Sequence, residues 1–205
     1  TKVVYAGSSS KHHNPYQSPY ASYKYLGEEV IKTYKTVYGV DAEIARFYNV
    51  YGPNEIVGNQ DNDNAAVIGI WRDEIDRGLP VTIVGDGEQR RDFTHIDDIV
   101  DGIIRASANT WKAETFELGT GKNYSINEIA QYYGTTYPVE YLSARPGEYD
   151  VTLCDYYKAH NQLGYSPKGN VQRWIREFVQ EVEQVGPQII NEDVNALIHT
   201  KNGNI

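Results

Sequence analysis

Apolar and polar positions along this chain change period several times, and each change marks an element. Residues 2–7, KVVYAG, form a short apolar run rich in β-branched residues and predict a buried strand. A polar loop follows over residues 8–19. From about Tyr20 to Tyr38 apolar residues recur at helical spacing, and Gly39 stands where a helix C-cap needs a left-handed residue. AEIARFYNV, residues 42–50, reads as the next strand; residues 64–77 carry an apolar stripe and predict a helix ending at Gly78. PVTIVG, residues 80–85, is a strand, and residues 97–108 a further helix. Ser125 and Glu128 form a capping box for the helix that opens with SINEIA. After the segments PVEYL and DVTLCD, helices are expected around residues 156–163 and 171–185. The alternation predicts an α/β fold, a parallel sheet with helical crossovers. The tail from Gly186 is polar and aperiodic and reads as a fraying end.

Composition narrows the class. The 205 residues carry a formal net charge of −9, whereas a nucleic-acid surface needs clustered Lys and Arg to neutralise phosphates. Here the arginines are scattered apart from Arg90 and Arg91, so no nucleic-acid partner is expected. Cys154 is the single cysteine and cannot form an internal disulfide. No apolar run approaches the length needed to span a bilayer, so no membrane partner and a cytoplasmic setting are expected. The chain holds no methionine and opens at Thr1 inside a predicted strand, which reads as a piece of a longer or split protein.

The main chemical clue is a Ser, Tyr, Lys trio. Tyr20 and Lys24 are four residues apart and share one helix face, so the Lys24 ammonium can favour the Tyr20 phenolate. With a free pKa near 10, tyrosine is a poor base at neutral pH, and nearby positive charge is what would bring it into range. About a dozen residues earlier lies the serine run of AGSSSK. With eighteen tyrosines in the chain, one Tyr-x-x-x-Lys match is expected by chance, so the spacing gains meaning only from its company.

That company is ARFYNVYGP from Ala45, IVGDGEQRRDFTHIDDIVDGI from Ile83, FELGTGKNYSINEIA from Phe116 and ARPGEYD from Ala144. In this order and spacing the segments resemble the extended short-chain dehydrogenase/reductase family, specifically its nucleotide-sugar epimerases and dehydratases of the UDP-glucose 4-epimerase type. The resemblance covers residues 1–185. It implies the C-terminal part of a Rossmann-like parallel sheet with a smaller α+β substrate-binding region, followed by a polar tail over 186–205. The glycine-rich turn that would hold a dinucleotide pyrophosphate is absent from the sequence. NAD is the implied cofactor and a nucleotide-diphosphate sugar the implied partner, with a homodimer as the assembly left open.

Roles follow by position within the resemblance. Ser8 hydrogen-bonds the reacting hydroxyl, with Ser9 as its competitor because His12 and His13 replace the family's tyrosine-glycine pair. Tyr20 is the base and Lys24 its cation; Tyr20, Lys24 and Tyr48 face the cofactor. Arg91 and Arg145 grip the diphosphate, since a guanidinium fork fits phosphate oxygens. Glu148 takes ribose hydroxyls, Asn49 the diphosphate sugar, and Phe47 packs by the sugar; residues 82–84 touch the base. Ser10 stands where sugar dehydratases carry an acid, so loss of water lacks its general acid and base. Epimerisation through a transient keto sugar is therefore the expected reaction. The alternatives are a non-catalytic nucleotide-sugar-binding fragment and a dehydratase or reductase.

Three further features read as structural. Adjacent loop side chains diverge, and no cysteine or acid stands at ligand spacing from His12 and His13, so no metal is expected. GDGEQ and GTGK lack the spacing of phosphate loops and read as tight turns. The NQDNDN run at residues 59–64 reads as a solvated loop.

Overall fold

The computed structural model describes residues 2–53, 55, 66–109, 115–134 and 137–185. In chain order its elements are β1 (Val3–Ser8), α1 (Pro19–Tyr38), β2 (Ala42–Phe47), β3 (Val50–Tyr51), α2 (Val67–Asp76), β4 (Val81–Val84), β5 (Arg90–Asp92), β6 (Thr94–His95), α3 (Ile96–Ala108), β7 (Thr115–Leu118), β8 (Asn123–Ser125), α4 (Ile126–Tyr132), β9 (Val139–Leu142), α5 (Tyr157–Leu163) and α6 (Val171–Val185). Two short 3-10 turns, Ser9–His12 and Pro15–Gln17, bridge β1 to α1.

The first layer system is a parallel sheet in the order β1-β2-β7, with Ser8 beside Phe47 and Phe47 beside Leu118 at the C-terminal ends. Successive residues of a strand point to opposite faces. On one face of β2, Arg46 reaches Glu28 of α1; on the other, Ala45 packs with Ile99 of α3, Phe116 and Leu118 of β7 and Ala159 of α5. The sheet is thus the middle of three layers. Its strands are covered on both faces, and for that reason they read as apolar runs rather than as a strict alternation. A second core gathers α2, α4, α6 and β4 around Trp71, Ile75, Ile83, Ile129, Tyr133 and Ile175. Its largest side chain, Trp71, donates its indole N–H to the Thr82 carbonyl at 2.6 Å, so the buried ring leaves no polar atom unmet.

Helix ends follow local chemistry. The Ser18 hydroxyl accepts from the Ala21 amide at 3.1 Å, Pro19 opens α1, and Gly39 closes it at φ 65°. The Ser125–Glu128 capping box forms as expected. The predicted strand over 42–50 is divided. Asn49 adopts φ 25°, the one positive value outside glycine among the described residues, and its carbonyl accepts from the Thr94 amide at 3.2 Å. Asparagine tolerates that left-handed region, and the turn carries the chain out of the first sheet so that β3 pairs with β6. DVTLCD is not a strand: only Val151 bridges Arg90, and the Asp92 carboxylate takes the Cys154 amide at 3.1 Å in place of a ladder partner. The helix expected from residue 64 is described from Val67; residues 64–65, the NQDNDN run and the 186–205 tail lie outside the described residues. No described helix is long and apolar enough to cross a membrane.

Candidate active site

Open parallel sheets present ligand sites at the C-terminal ends of their strands. Ser8 ends β1, Phe47 ends β2, and Tyr20 lies in the first turn of α1, which packs on β1. The buried Ser8 hydroxyl accepts from the Ser10 amide at 3.2 Å, capping the turn behind it, and keeps its own hydrogen to donate. Ser10 is buried as well, and its hydroxyl makes no hydrogen bond. Tyr20 is 57% exposed. The Lys24 ammonium donates to the Ala6 carbonyl of β1 at 3.0 Å and sits 5.8 Å from the centre of the Tyr20 ring. The helix-face pairing expected from the spacing is therefore formed, with the cation over the ring.

Behind these residues lies a cluster that the sequence reasoning missed. Arg46 of β2 donates to both Glu28 oxygens, at 2.9 and 2.7 Å, and to Glu117 of β7 at 2.7 Å. Glu117 also accepts from the Tyr48 hydroxyl at 2.9 Å and pairs with His12 Nε2 at 3.0 Å. Burial alone would raise the Glu117 pKa, but His12 and Arg46 outweigh it and hold the carboxyl below its usual range. Burial, with Glu117 beside it, pushes the Tyr48 phenol far above its ordinary value. Tyr48 is 2% exposed with its hydroxyl committed inward, while Phe47 beside it is half-buried at the sheet edge. The legible trace was the third member of the α1 face: Glu28 follows Lys24 by four residues, as Lys24 follows Tyr20.

The other half of the site is a cavity of about 460 Å³ beside β3, α2 and β4, lined among others by Asn49, Thr82, Arg91, Arg145 and Glu148. It gathers four of the five expected substrate residues; Phe47 is not on its wall. Arg91 donates to Glu148 at 3.0 Å, and burial, only partly opposed by Glu148, lowers its pKa. Arg145 is exposed at the rim. Asn49 spends both amide hydrogens on the protein, on the Asp92 carbonyl and Thr152 Oγ1, each at 3.2 Å. That leaves Oδ1 as its side-chain offering to a ligand. Thr82 is likewise engaged, its amide and hydroxyl both on Glu74 at 2.9 and 2.7 Å. Glu55, also on the wall, has both oxygens buried without a hydrogen-bond partner; burial raises its pKa to about 7, against the weaker pull of the Arg72 charge.

One contact joins the halves. The His13 ring stacks on Tyr149 with centroids 3.8 Å apart, which sets the serine turn beside the segment carrying Glu148. His12 and His13 thus diverge, one to Glu117 and the other to Tyr149. The GTG turn is not a phosphate cradle. The Thr120 and Gly121 amides both point at the buried Asp92 carboxylate, at 3.0 and 2.9 Å.

A family model described as NAD dependent epimerase/dehydratase family matches residues 3–119. The chain belongs to this family. UDP-glucuronate 4-epimerase of Thermodesulfobacterium geofontis is 35% identical over 87% of the chain, and UDP-glucose 4-epimerase of Mycolicibacterium smegmatis 30% identical over 88%. The chain spans about half the length of the curated relatives it matches, 56% and 57% of these two. Among solved structures, UDP-glucuronic acid 4-epimerase from Bacillus cereus in complex with UDP-glucuronic acid and NAD aligns at a TM-score of 0.75 and 26% identity, covering 90% of this chain and 62% of that one. UDP-N-acetylglucosamine 4-epimerase from Methanobrevibacter ruminantium M1 aligns at 0.75 and 27% identity, with 90% and 64% covered.

Proposed function

We propose that this chain is the reacting and substrate-binding part of an NAD-dependent epimerase acting on a nucleoside-diphosphate sugar, with Tyr20 as its base. The observation that carries the reading is one cavity holding Asn49, Arg91, Arg145 and Glu148, joined through Tyr149 to the sheet edge that bears Ser8, Tyr20 and Lys24. In the reaction Tyr20 takes the proton of the sugar hydroxyl, Ser8 donates to that oxygen, and Lys24 stabilises the phenolate. NAD, when bound, supplies the acceptor for the hydride and returns it. The keto sugar turns over, the hydride returns to the opposite face of the carbonyl carbon, and Tyr20 gives the proton back to its oxygen. Arg91 exchanges its Glu148 bond for a phosphate oxygen, and Glu148 is then free to accept from ribose hydroxyls.

The residues present fit one end of the cofactor. Tyr20 and Lys24 offer a hydroxyl and a cation at the strand ends, suited to the nicotinamide ribose, whereas Tyr48, expected to face the cofactor, is buried with its hydroxyl on Glu117. The pyrophosphate is not held at the GTG turn, whose amides are spent on Asp92. Dehydration is the weaker alternative because Ser10 cannot serve as its acid. Along α1 the exposed residues Tyr23, Leu26, Val30, Tyr34 and Val37 form one apolar stripe, which supports a homodimer through this helix.

The test is kinetic and uses the full-length polypeptide with NAD. Tyr20→Phe keeps the ring and loses the proton acceptor, so kcat for UDP-sugar epimerisation falls about a hundredfold to ten-thousandfold while UDP affinity stays near wild type. A Tyr20→Phe enzyme turning over at the wild-type rate removes Tyr20 from the reaction.

A further inference from the structure

Among the described residues, Glu117 is the one carboxylate that touches three segments of the reacting edge at once. It pairs with His12 on the serine turn, with Arg46 in β2 and with Tyr48 at the corner before Asn49. Arg46 carries the link onward to Glu28 of α1, one turn beyond Lys24. None of Glu28, Arg46, Tyr48 or Glu117 is on the cavity wall, so the cluster does not touch the place assigned to the diphosphate. Its chemistry is selective. Arg46 and the Tyr48 hydroxyl are donors, and an ionised carboxylate accepts only, so His12 Nε2 must carry its hydrogen toward Glu117. Two acids share one guanidinium in a desolvated place, and His12 and Tyr48 supply the remaining donors, without which a carboxylate there would be costly.

We propose that Glu117 is the positioning residue of the reacting edge: by holding His12 and Tyr48 together it fixes the Ser8 turn against the β2–β3 corner, and through Arg46 it fixes both against the helix carrying Tyr20 and Lys24. What is positioned rests on the epimerase reading; the clamp itself does not. Glutamine keeps the size of Glu117 but turns an NH2 group on one of three donors, so Glu117→Gln releases at least one partner.

Hydrogen exchange on the chain reads the clamp directly. Amides over Ser9–His13 should exchange roughly tenfold faster in Glu117→Gln, while titrated UDP binds as it does to wild type. In the full-length enzyme kcat should fall roughly tenfold to hundredfold, the scale of a small misplacement of reacting groups, with KM for the UDP-sugar within twofold. His12→Gln, which keeps a donor, should restore slow exchange that His12→Ala loses. The His12 pair also serves if Glu117→Gln does not fold, because that side chain is half-exposed. Unchanged exchange over Ser9–His13, or UDP affinity falling in step with kcat, overturns the proposal. A wild-type enzyme without epimerase turnover sinks the functional reading instead, and the exchange result still decides the clamp.

Discussion

Arg46 and Arg91 are almost equally buried, with side chains 11% and 12% exposed, yet they are partnered in opposite ways. Arg46 is held by Glu28, fully buried, and by Glu117, 17% exposed. Arg91 has one carboxylate, Glu148, 42% exposed. Burial works against the charge of both, but the two acids outweigh it at Arg46 and raise its pKa, whereas Glu148 does not repay it at Arg91 and the pKa falls. Depth alone therefore does not decide how a buried guanidinium is used; the number of carboxylates paired with it is what differs here. A guanidinium bonded on three nitrogens to two carboxylates holds elements together. One left under-partnered on a cavity wall gains from an arriving anion.

The comparison is broken most decisively by stability. Arg46→Met leaves the Glu28 and Glu117 carboxylates buried side by side without their cation, and breaking a buried pair in this way costs about 3–5 kcal/mol. Arg91→Ala frees a partner that water already reaches, so its cost should stay under about 1 kcal/mol. Urea unfolding of the two variants measures the difference. Equal losses would mean that the number of paired carboxylates is the wrong distinction.

Binding should reverse the order. Charge-assisted contacts contribute about 1.5–3 kcal/mol, so Arg91→Ala should weaken UDP binding to the chain roughly tenfold to hundredfold. Arg145→Ala should do the same. Calorimetry in which both variants bind UDP as tightly as wild type would leave the cavity without its assigned ligand.

Periodicity was a good guide to the elements whose packing it reports. The α1 helix, its Gly39 cap and the Ser125–Glu128 box are all local chemistry, and all were legible; the Ser18 cap is equally local but was passed over as loop. The division of the second strand was not, because nothing before Asn49 in AEIARFYNV breaks the strand pattern; the turn is set by Thr94, a partner 45 positions away that pairs with the Asn49 carbonyl. In DVTLCD, likewise, the Cys154 amide is taken by the distant Asp92, a partner the segment itself does not announce. Among site residues, Asn49, Arg91, Arg145 and Glu148 carried family motifs and are gathered in one cavity. Glu117 lies inside the quoted FELGTG segment but has no local signature of its role. Its meaning comes from His12, 105 positions away, and from Arg46, 71 away.

The smallest expected effect extends the comparison to two carboxylates. Glu117 is saturated with donors and titrates below its ordinary 4.5, so it adds stability above that pH and loses it as the pH falls below it. Glu55 has the opposite sign. Its pKa is raised to about 7, so the folded state prefers the proton, and stability present below pH 4.5 is lost as the pH climbs from 4.5 to about 7, then stays level. Glu55→Gln removes that loss. The gain at pH 8 should be on the order of 1 kcal/mol, which for a chain of this size raises Tm by roughly 2–4 °C, and it should nearly vanish at pH 4, where Glu55 is mostly protonated in both states. Glu117→Gln should destabilise at pH 8 and much less at pH 3. Thermal unfolding of both variants across this range separates the two acids. If Glu55→Gln stabilises equally at pH 4 and pH 8, the effect is packing rather than charge, and the contrast between a satisfied and an unsatisfied carboxylate fails.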